Sequence, residues 1–329
     1  MKILVIGYRN HSESIIRILA KIKRVKKIYI FKRKINKFSL NISNIEFINK
    51  LTNLSIYDCY FILSPNNTHV KYIKRLIKFN KKIFCEKPSC TTILEYDYLT
   101  KLKKKYKRNI YFNFNLRHTE LYELAKKYLK TKKLGKLHHL YFKGANGIAF
   151  KKKLKTSKRF NSSNIFDRIT GNIGVHYINF FLGLTSPGLV SYKFKINCIE
   201  GSTRKKVTDY AKIDIYTKNI FGSIFMTYSS VADYQVELVF TNGVLKFNNN
   251  RIILAYPRDS FDINGNYIYP KEKILTKFSS YKDYTKKSFY NSVNYFINST
   301  YNKKSFSIKN FDDSLLTSKV LIKANNKKN

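Results

Sequence analysis

Tyr57–Pro88, YDCYFILSPNNTHVKYIKRLIKFNKKIFCEKP, reads as one strand–helix–strand unit with polar residues at the carboxyl end of each strand. Tyr57–Leu63 is a short apolar run rich in strand formers, closed by Ser64-Pro65, a pair that continues neither strand nor helix smoothly. Asn66, Asn67 and Thr68 offer capping oxygens, and Val70, Ile73, Leu76 and Ile77 recur at helical spacing. Asn80 follows the last apolar turn, where a left-handed residue is usually required and Asn ranks next after Gly. Ile83–Cys85 is the second strand, with Glu86-Lys87-Pro88 at its carboxyl end. In an open parallel sheet that edge binds ligands, and a lysine fixed there is a candidate for chemistry.

The first residues repeat the pattern. Lys2–Ile6 is a buried-type strand ending in Gly7, Ser12 to Lys23 is a helix, and Lys27–Phe31 is the next strand. Such an opening is the first half of a nucleotide-binding unit, expected to carry Gly-x-Gly-x-x-Gly after the first strand. Here Gly7 keeps the tight turn, while Arg9 and Ser12 occupy the second and third glycine positions. Two readings of Arg9 stay open: its guanidinium meets a pyrophosphate, or it blocks the site. Ile45–Ile48 continues the sheet, Thr91 to Tyr106 reads as one helix, and Asn109–Phe114 is a further strand.

Ser64-Pro65-Asn66-x-x-His69 followed by Cys85-Glu86-Lys87-Pro88 resembles the paired signatures of the Gfo/Idh/MocA family of NAD(P)-dependent oxidoreductases (glucose–fructose oxidoreductase, inositol dehydrogenase). Gly171-Asn172-Ile173-Gly174-Val175-His176-Tyr177-Ile178-Asn179 resembles the same family's Asp-x-Gly-x-His-x-x-Asp helix, with Asn172 and Asn179 in place of both aspartates. On a helix, positions 172, 176 and 179 share a face. The Lys133–Lys136 turn resembles the leucine-glycine turn that leads into the family's second domain, so the likeness spans nearly the whole chain.

The resemblance implies an α/β Rossmann domain, a doubly wound parallel sheet, over residues 1–118. It implies an α+β domain with a large, mostly antiparallel sheet over residues 119–329, its last helix packing back on the first. In this sequence Gly7, Arg9, Asn10, Lys32, Arg33, Ser64, Pro65, Asn66, His69, Glu86 and Lys87 stand where the family binds its cofactor. Asn115, Arg117, Asn172, His176 and Asn179 stand where it binds substrate, although Arg117 reads equally well as an ion-pair partner at the domain crossover. The basic turn Lys32-Arg33-Lys34 takes the place of the usual ribose-binding carboxylate, which favours NADP over NAD.

The implied chemistry is hydride transfer between a nicotinamide and a carbinol or keto carbon of a sugar, nucleotide sugar or cyclic polyol. His176 exchanges the hydroxyl proton, Lys87 stabilises charge on the same oxygen, and Asn172 orients the imidazole or the substrate. An amide cannot stabilise an imidazolium as a carboxylate does, so His176 is expected to be less basic than in relatives with aspartate. Two other readings stay open. One is a cofactor-binding protein with little turnover, consistent with Arg9, Ser12, Asn172 and Asn179; the other is a glycosidase-type reaction that uses bound NAD transiently.

Composition points elsewhere only at first sight. Sixty-four Lys and Arg against 20 Asp and Glu give a net charge of +44, the mark of a polyanion partner. The cations are mostly lysine, however, and spread along the whole length, which reads as compositional bias. No specific nucleic-acid partner is expected from them. The four cysteines have neither metal-ligand spacing nor a disulfide framework, so no metal is expected. With no apolar run near the ~20 residues of a membrane span and Met1 leading straight into a strand, a cytoplasmic protein without membrane contact is expected.

Downstream, a helix runs from Glu120 to about Lys130. Strands are expected at Leu137–Phe142, Val190–Cys198, Lys206–Thr217, Ile220–Ser229 and Gln235–Phe240, with a hairpin turn at Thr241-Asn242-Gly243. Two helical stretches lie in Tyr290–Ala324, the second starting at Asp312-Asp313. By resemblance the second domain's sheet also pairs subunits into a homo-oligomer.

Overall fold

The computed structural model describes residues 1–8, 10–32, 42–151, 162, 164–185, 193–200 and 208–326. Two compact units emerge, one from Met1–Asn115 with Phe289–Ile322, the other from Leu116–Ser288 with the chain from Lys323.

The first unit holds a six-stranded parallel sheet of β1 (Lys2–Ile6), β2 (Lys27–Phe31), β3 (Ile45–Ile48), β4 (Cys59–Ile62), β5 (Lys82–Glu86) and β6 (Ile110–Asn113). Its order is β3-β2-β1-β4-β5-β6, the doubly wound arrangement whose direction reverses between β1 and β4. Helices α1 (Asn10–Ala20) and α2 (His69–Leu76) cross over after β1 and β4. The single helix expected over Thr91–Tyr106 is two, α3 (Ile93–Thr100) and α4 (Lys104–Lys107). The Leu102 N–H turns back to Leu99 O and breaks the run. Asn80 takes the left-handed conformation, φ +52°, that its place after α2 requires.

Every residue of β4 and β6 is buried, as a sheet covered on both faces demands. On one face Phe61 stacks on Phe84 at 4.6 Å, and Phe296 meets both rings edge-on at 5.0 and 5.4 Å. Val293, Phe296 and Ile297 come from a late helix, so this core closes only when distant sequence returns to it.

The second unit holds α5 (Glu120–Thr131), a helix preceded by a π turn, and an eight-stranded sheet. The strands are β7 (Leu137–Ala145), β8 (Lys193–Glu200), β9 (Thr208–Tyr216), β10 (Phe221–Thr227), β11 (Asp233–Phe240), β12 (Gly243–Asn248), β13 (Arg251–Ala255) and β14 (Glu272–Lys277). Their order is β14-β13-β12-β11-β7-β10-β9-β8; all neighbours are antiparallel except β7 and β10. That parallel pair is possible because the π turn and α6 (Val175–Thr185) intervene between the two strands. Gly243 forms the expected β11–β12 corner, and the three strands β12 to β14 extend the sheet beyond the expected set.

Helix α7 runs over Tyr281–Tyr301, beginning nine residues before the expected start at Tyr290. Helix α8 runs over Ile308–Asn326 rather than starting at Asp312. Ser307 ends the preceding loop as its cap, accepting the Asn310 N–H at 3.3 Å.

Candidate functional site

In the first unit the described residues among those expected at the cofactor gather at the carboxyl edge, where the sheet order reverses. Gly7 ends β1 with φ +106°, and a Cβ there would lie 2.7 Å from Leu63 O and 2.8 Å from Ser64 Cα. The β1 turn and the β4 turn therefore touch backbone to backbone, a cradle that only glycine leaves open. Bare backbone there, with the N-terminus of α1 three residues on, fits a dinucleotide's pyrophosphate. Ser12, buried in the first turn of α1, fills the third glycine position. Arg9 and Arg33 lie outside the described residues, as does the side chain of Asn10. Lys32 follows β2, its ammonium 5.6 Å from the Tyr8 ring centroid.

The β4 and β5 turns are joined by His69. Its Nδ1 lies 2.8 Å from Pro88 O and its Nε2 2.9 Å from Ser64 O. The ring is fully buried between the two turns. Burial lowers its pKa, and hydrogen bonding to the two carbonyls offsets part of that shift. Ser64 Oγ contacts Thr68 Oγ1 at 2.7 Å, and Thr68 Oγ1 donates to Pro65 O at 2.7 Å, fixing the Ser64-Pro65-Asn66 turn before α2.

Glu86 is buried beside half-exposed Lys87. Its Oε1 accepts the Asn113 side-chain N–H at 2.7 Å and its Oε2 the Lys87 backbone N–H at 3.3 Å. Asn113 is wholly buried and its Oδ1 accepts Ser292 Oγ–H at 2.6 Å; Ser292 Oγ lies 2.7 Å from Tyr111 Oη. Ser89 Oγ, just past Pro88, donates to Ser314 O at 3.0 Å and meets Ser318 Oγ at 2.8 Å. Asn113, Ser292 and Ser318 escape a reading of the sequence because nothing local marks them; a polar residue at the end of an apolar strand was the only available hint for Asn113. Asn115 follows β6 and is buried.

In the second unit Asn172 lies in a π turn, Thr170–Gly174, which runs directly into α6. Such turns insert one residue into a helix and collect at functional sites. The turn is enforced by Gly171, whose Cβ would fall 2.4 Å from the Phe166 backbone. Asn172 Nδ2 donates to buried Tyr228 Oη at 3.1 Å. His176, one turn on, is half-exposed like Asn172, whereas Asn179 is fully buried. Arg117 is buried too and straps α6, donating to Asn179 O from Nη2 at 2.6 Å and from Nε at 3.1 Å. Gly183 makes room for that strap, since a Cβ there would meet Arg117 Cζ at 2.7 Å. Of the five residues expected at the substrate, Arg117 is thus bonded to the backbone of α6, at Asn179 O. Of the Lys158–Asp167 loop, only residues 162 and 164–167 are described.

Among the described residues no group of three His, Cys, Asp or Glu side chains is arranged to hold a metal. Nor is any helix among them long and apolar enough to cross a membrane.

Solved structures share this fold at low sequence identity. A dehydrogenase from Clostridium difficile superposes with a TM-score of 0.72 at 18% identity, covering 99% of each chain. A myo-inositol dehydrogenase from Corynebacterium glutamicum gives 0.73 at 15%, covering 99% of this chain and 96% of its own. The UDP-N-acetylglucosamine 3-dehydrogenase of Acidithiobacillus ferrooxidans gives 0.72 at 11%, with 98% and 96% covered. No curated protein sequence matches the chain significantly. The sequence profile described as an oxidoreductase family with an NAD-binding Rossmann fold matches residues 1–114. Over those residues the chain is similar to the Gfo/Idh/MocA oxidoreductase family.

Proposed function

We propose that the protein is an NAD(P)-dependent oxidoreductase acting on a carbinol or keto carbon of a sugar, nucleotide sugar or cyclic polyol. The observation that carries this is Glu86-Lys87-Pro88 at the carboxyl end of β5, tied through His69 to the turn after β4. The names borne by structures of the same fold, an inositol dehydrogenase and a sugar-nucleotide dehydrogenase among them, point to the same substrate class.

Gly7, Ser64, Pro65 and Asn66 would hold the dinucleotide. Lys32 and Arg33 prefer the extra phosphate of NADP. When bound, the nicotinamide accepts or supplies the hydride. Lys87 donates a hydrogen bond to the substrate oxygen and stabilises its developing charge. His176 takes the hydroxyl proton in oxidation and returns it in reduction. Asn172, its amide held by Tyr228 Oη, orients the substrate or the imidazole. Arg117 keeps α6 in position by donating to Asn179 O. The second unit's sheet pairs subunits, which light scattering of the purified protein tests directly.

The test is a titration with NADPH and NADH, followed by turnover on a panel of inositols, free sugars and UDP-sugars. Micromolar NADPH affinity and turnover of at least one polyol or sugar are expected. Failure to bind either dinucleotide would sink the proposal. Binding with no turnover on any substrate class would favour a cofactor-binding protein, a reading that the amides at 172 and 179 support. Bound cofactor that cleaves an aryl glycoside without net reduction would favour the glycosidase-type reaction.

A further inference from the structure

At the amino edge of the first unit's sheet, opposite the turns described above, the surface is concave and cationic. One cavity of about 850 Å³ opens around the starts of β5 and β6 and the end of α7. A second of about 710 Å³ adjoins it, sharing Arg108 and Ser305. Each alone has the volume of a small-molecule site, about 300–1,000 Å³. Both are open to solvent, however, and they meet at Arg108 and Ser305 in one grooved face.

Lys81, Lys82, Lys105, Arg108 and Lys303 line the first cavity, and Asp58 is the single carboxylate among its described lining residues. The Asp58 carboxylate is already engaged, accepting the Lys2 N–H at 2.7 Å. Lys82 is built in rather than scattered: its ammonium donates to Asn109 Oδ1 at 2.9 Å and Arg108 O at 3.2 Å, and lies 5.0 Å from the Phe306 ring centroid. Burial without a carboxylate partner lowers its pKa, a cost that a bound anion would relieve. Aromatic rings interleave with the charges. Tyr301 is 57% exposed in the first cavity, with the Arg24 guanidinium 4.3 Å from its ring centroid, and Tyr295 is 38% exposed in the second.

Cations tracking a backbone beside exposed rings that can stack on bases are the requirements of a single-stranded nucleic-acid channel. A bare phosphate site has no use for the tyrosines, and an enclosed nucleotide pocket would not be open along its length. We propose that this groove binds single-stranded nucleic acid without sequence preference, independently of the dinucleotide site on the opposite edge.

In a chain of net charge +44 the test must separate a groove from general adhesion. Fluorescence anisotropy of labelled dT12 is measured with the full chain, Lys105→Glu/Arg108→Glu, Tyr301→Ala and a control, Lys127→Glu/Lys130→Glu, that removes equal charge from α5. Inorganic polyphosphate is the competitor without bases, and melting curves confirm that each variant folds. The groove double variant should bind dT12 about tenfold or more weakly at moderate salt, the control within about threefold of wild type. Tyr301→Ala should lose about five- to tenfold on dT12 and leave polyphosphate affinity unchanged. Equal losses in the two double variants would reduce the effect to overall charge and overturn the proposal. So would a Tyr301→Ala protein that binds dT12 as wild type does, or that weakens equally for polyphosphate.

Discussion

His69 Nδ1 lies 2.8 Å from Pro88 O, a contact between residues nineteen apart that fastens the turn after β4 to the turn after β5. The same ring reaches Ser64 O through Nε2 at 2.9 Å, so one buried side chain sets the spacing of two loops at the ligand-binding edge. A neutral imidazole carries one N–H and so donates to one of the two carbonyls that face it; only the protonated ring donates to both.

Replacing His69 by Ala removes the hydrogen bond that the ring donates to one of these carbonyls and opens a cavity between the turns. A loss of about 2–4 kcal/mol in unfolding free energy is expected, read by denaturant titration. On the proposed function, dinucleotide affinity should fall by about tenfold or more, because the ring spaces the two turns assigned to the cofactor. Unchanged affinity in a destabilised variant would remove His69 from the site's support.

Asn113 supports Glu86 from the neighbouring strand at 2.7 Å. Asn113→Ala should cost about 2–3 kcal/mol, since a buried carboxylate loses a donor. Asn113→Asp places a second carboxylate against the first and raises the pair's protonation range. That variant should be least stable near neutrality and recover as the pH falls toward 5, the opposite of the wild-type trend. Melting temperatures across pH decide the matter.

Gly7→Ala tests the cradle. The substitution combines a φ of +106° with a Cβ 2.7 Å from Leu63 O, so the turn must shift or strain by about 1–3 kcal/mol. Cofactor binding measured calorimetrically should weaken by more than tenfold, with a smaller effect on polyol affinity.

On the proposed chemistry, Lys87→Met and His176→Gln should each lower kcat by about 10²–10⁴-fold, while dinucleotide affinity for the His176 variant stays within about threefold. Asn172→Asp should move the lower limb of the pH–rate profile upward, because a carboxylate raises the basicity of the imidazole. A profile superposable on wild type would argue that Asn172 does not act on His176.

Acid sensitivity follows from two histidines. Burial, helped by the Arg117 and Lys126 charges, lowers the pKa of His118 to about 4, and burial lowers that of His69. Both fold neutral, while the unfolded chain takes up protons below about pH 6.5. Their contribution is therefore complete above that pH and declines as the pH falls toward the folded values. The melting temperature should drop between pH 7 and 4.5, and His118→Asn should flatten that drop. An equal drop in the variant would assign the sensitivity elsewhere.

Local sequence determined β1, β2 and β3 to the residue, the αL turn at Asn80 and the motifs at the tips of β4 and β5. Buried parallel strands need continuous apolar runs and their turns need particular residues, so these features are written in neighbouring letters. The π turn at 170–174 reads as ordinary helix, because periodicity does not register one inserted residue. The break between α3 and α4 is equally invisible among lysines that suit either state. Only tertiary structure decided that His69, Arg117 and Asn179 face inward, and that Asn113 and Ser292 stand behind Glu86. Most of those roles depend on a partner from 19 to 179 residues away, and such pairings become definite only when the chain closes its core.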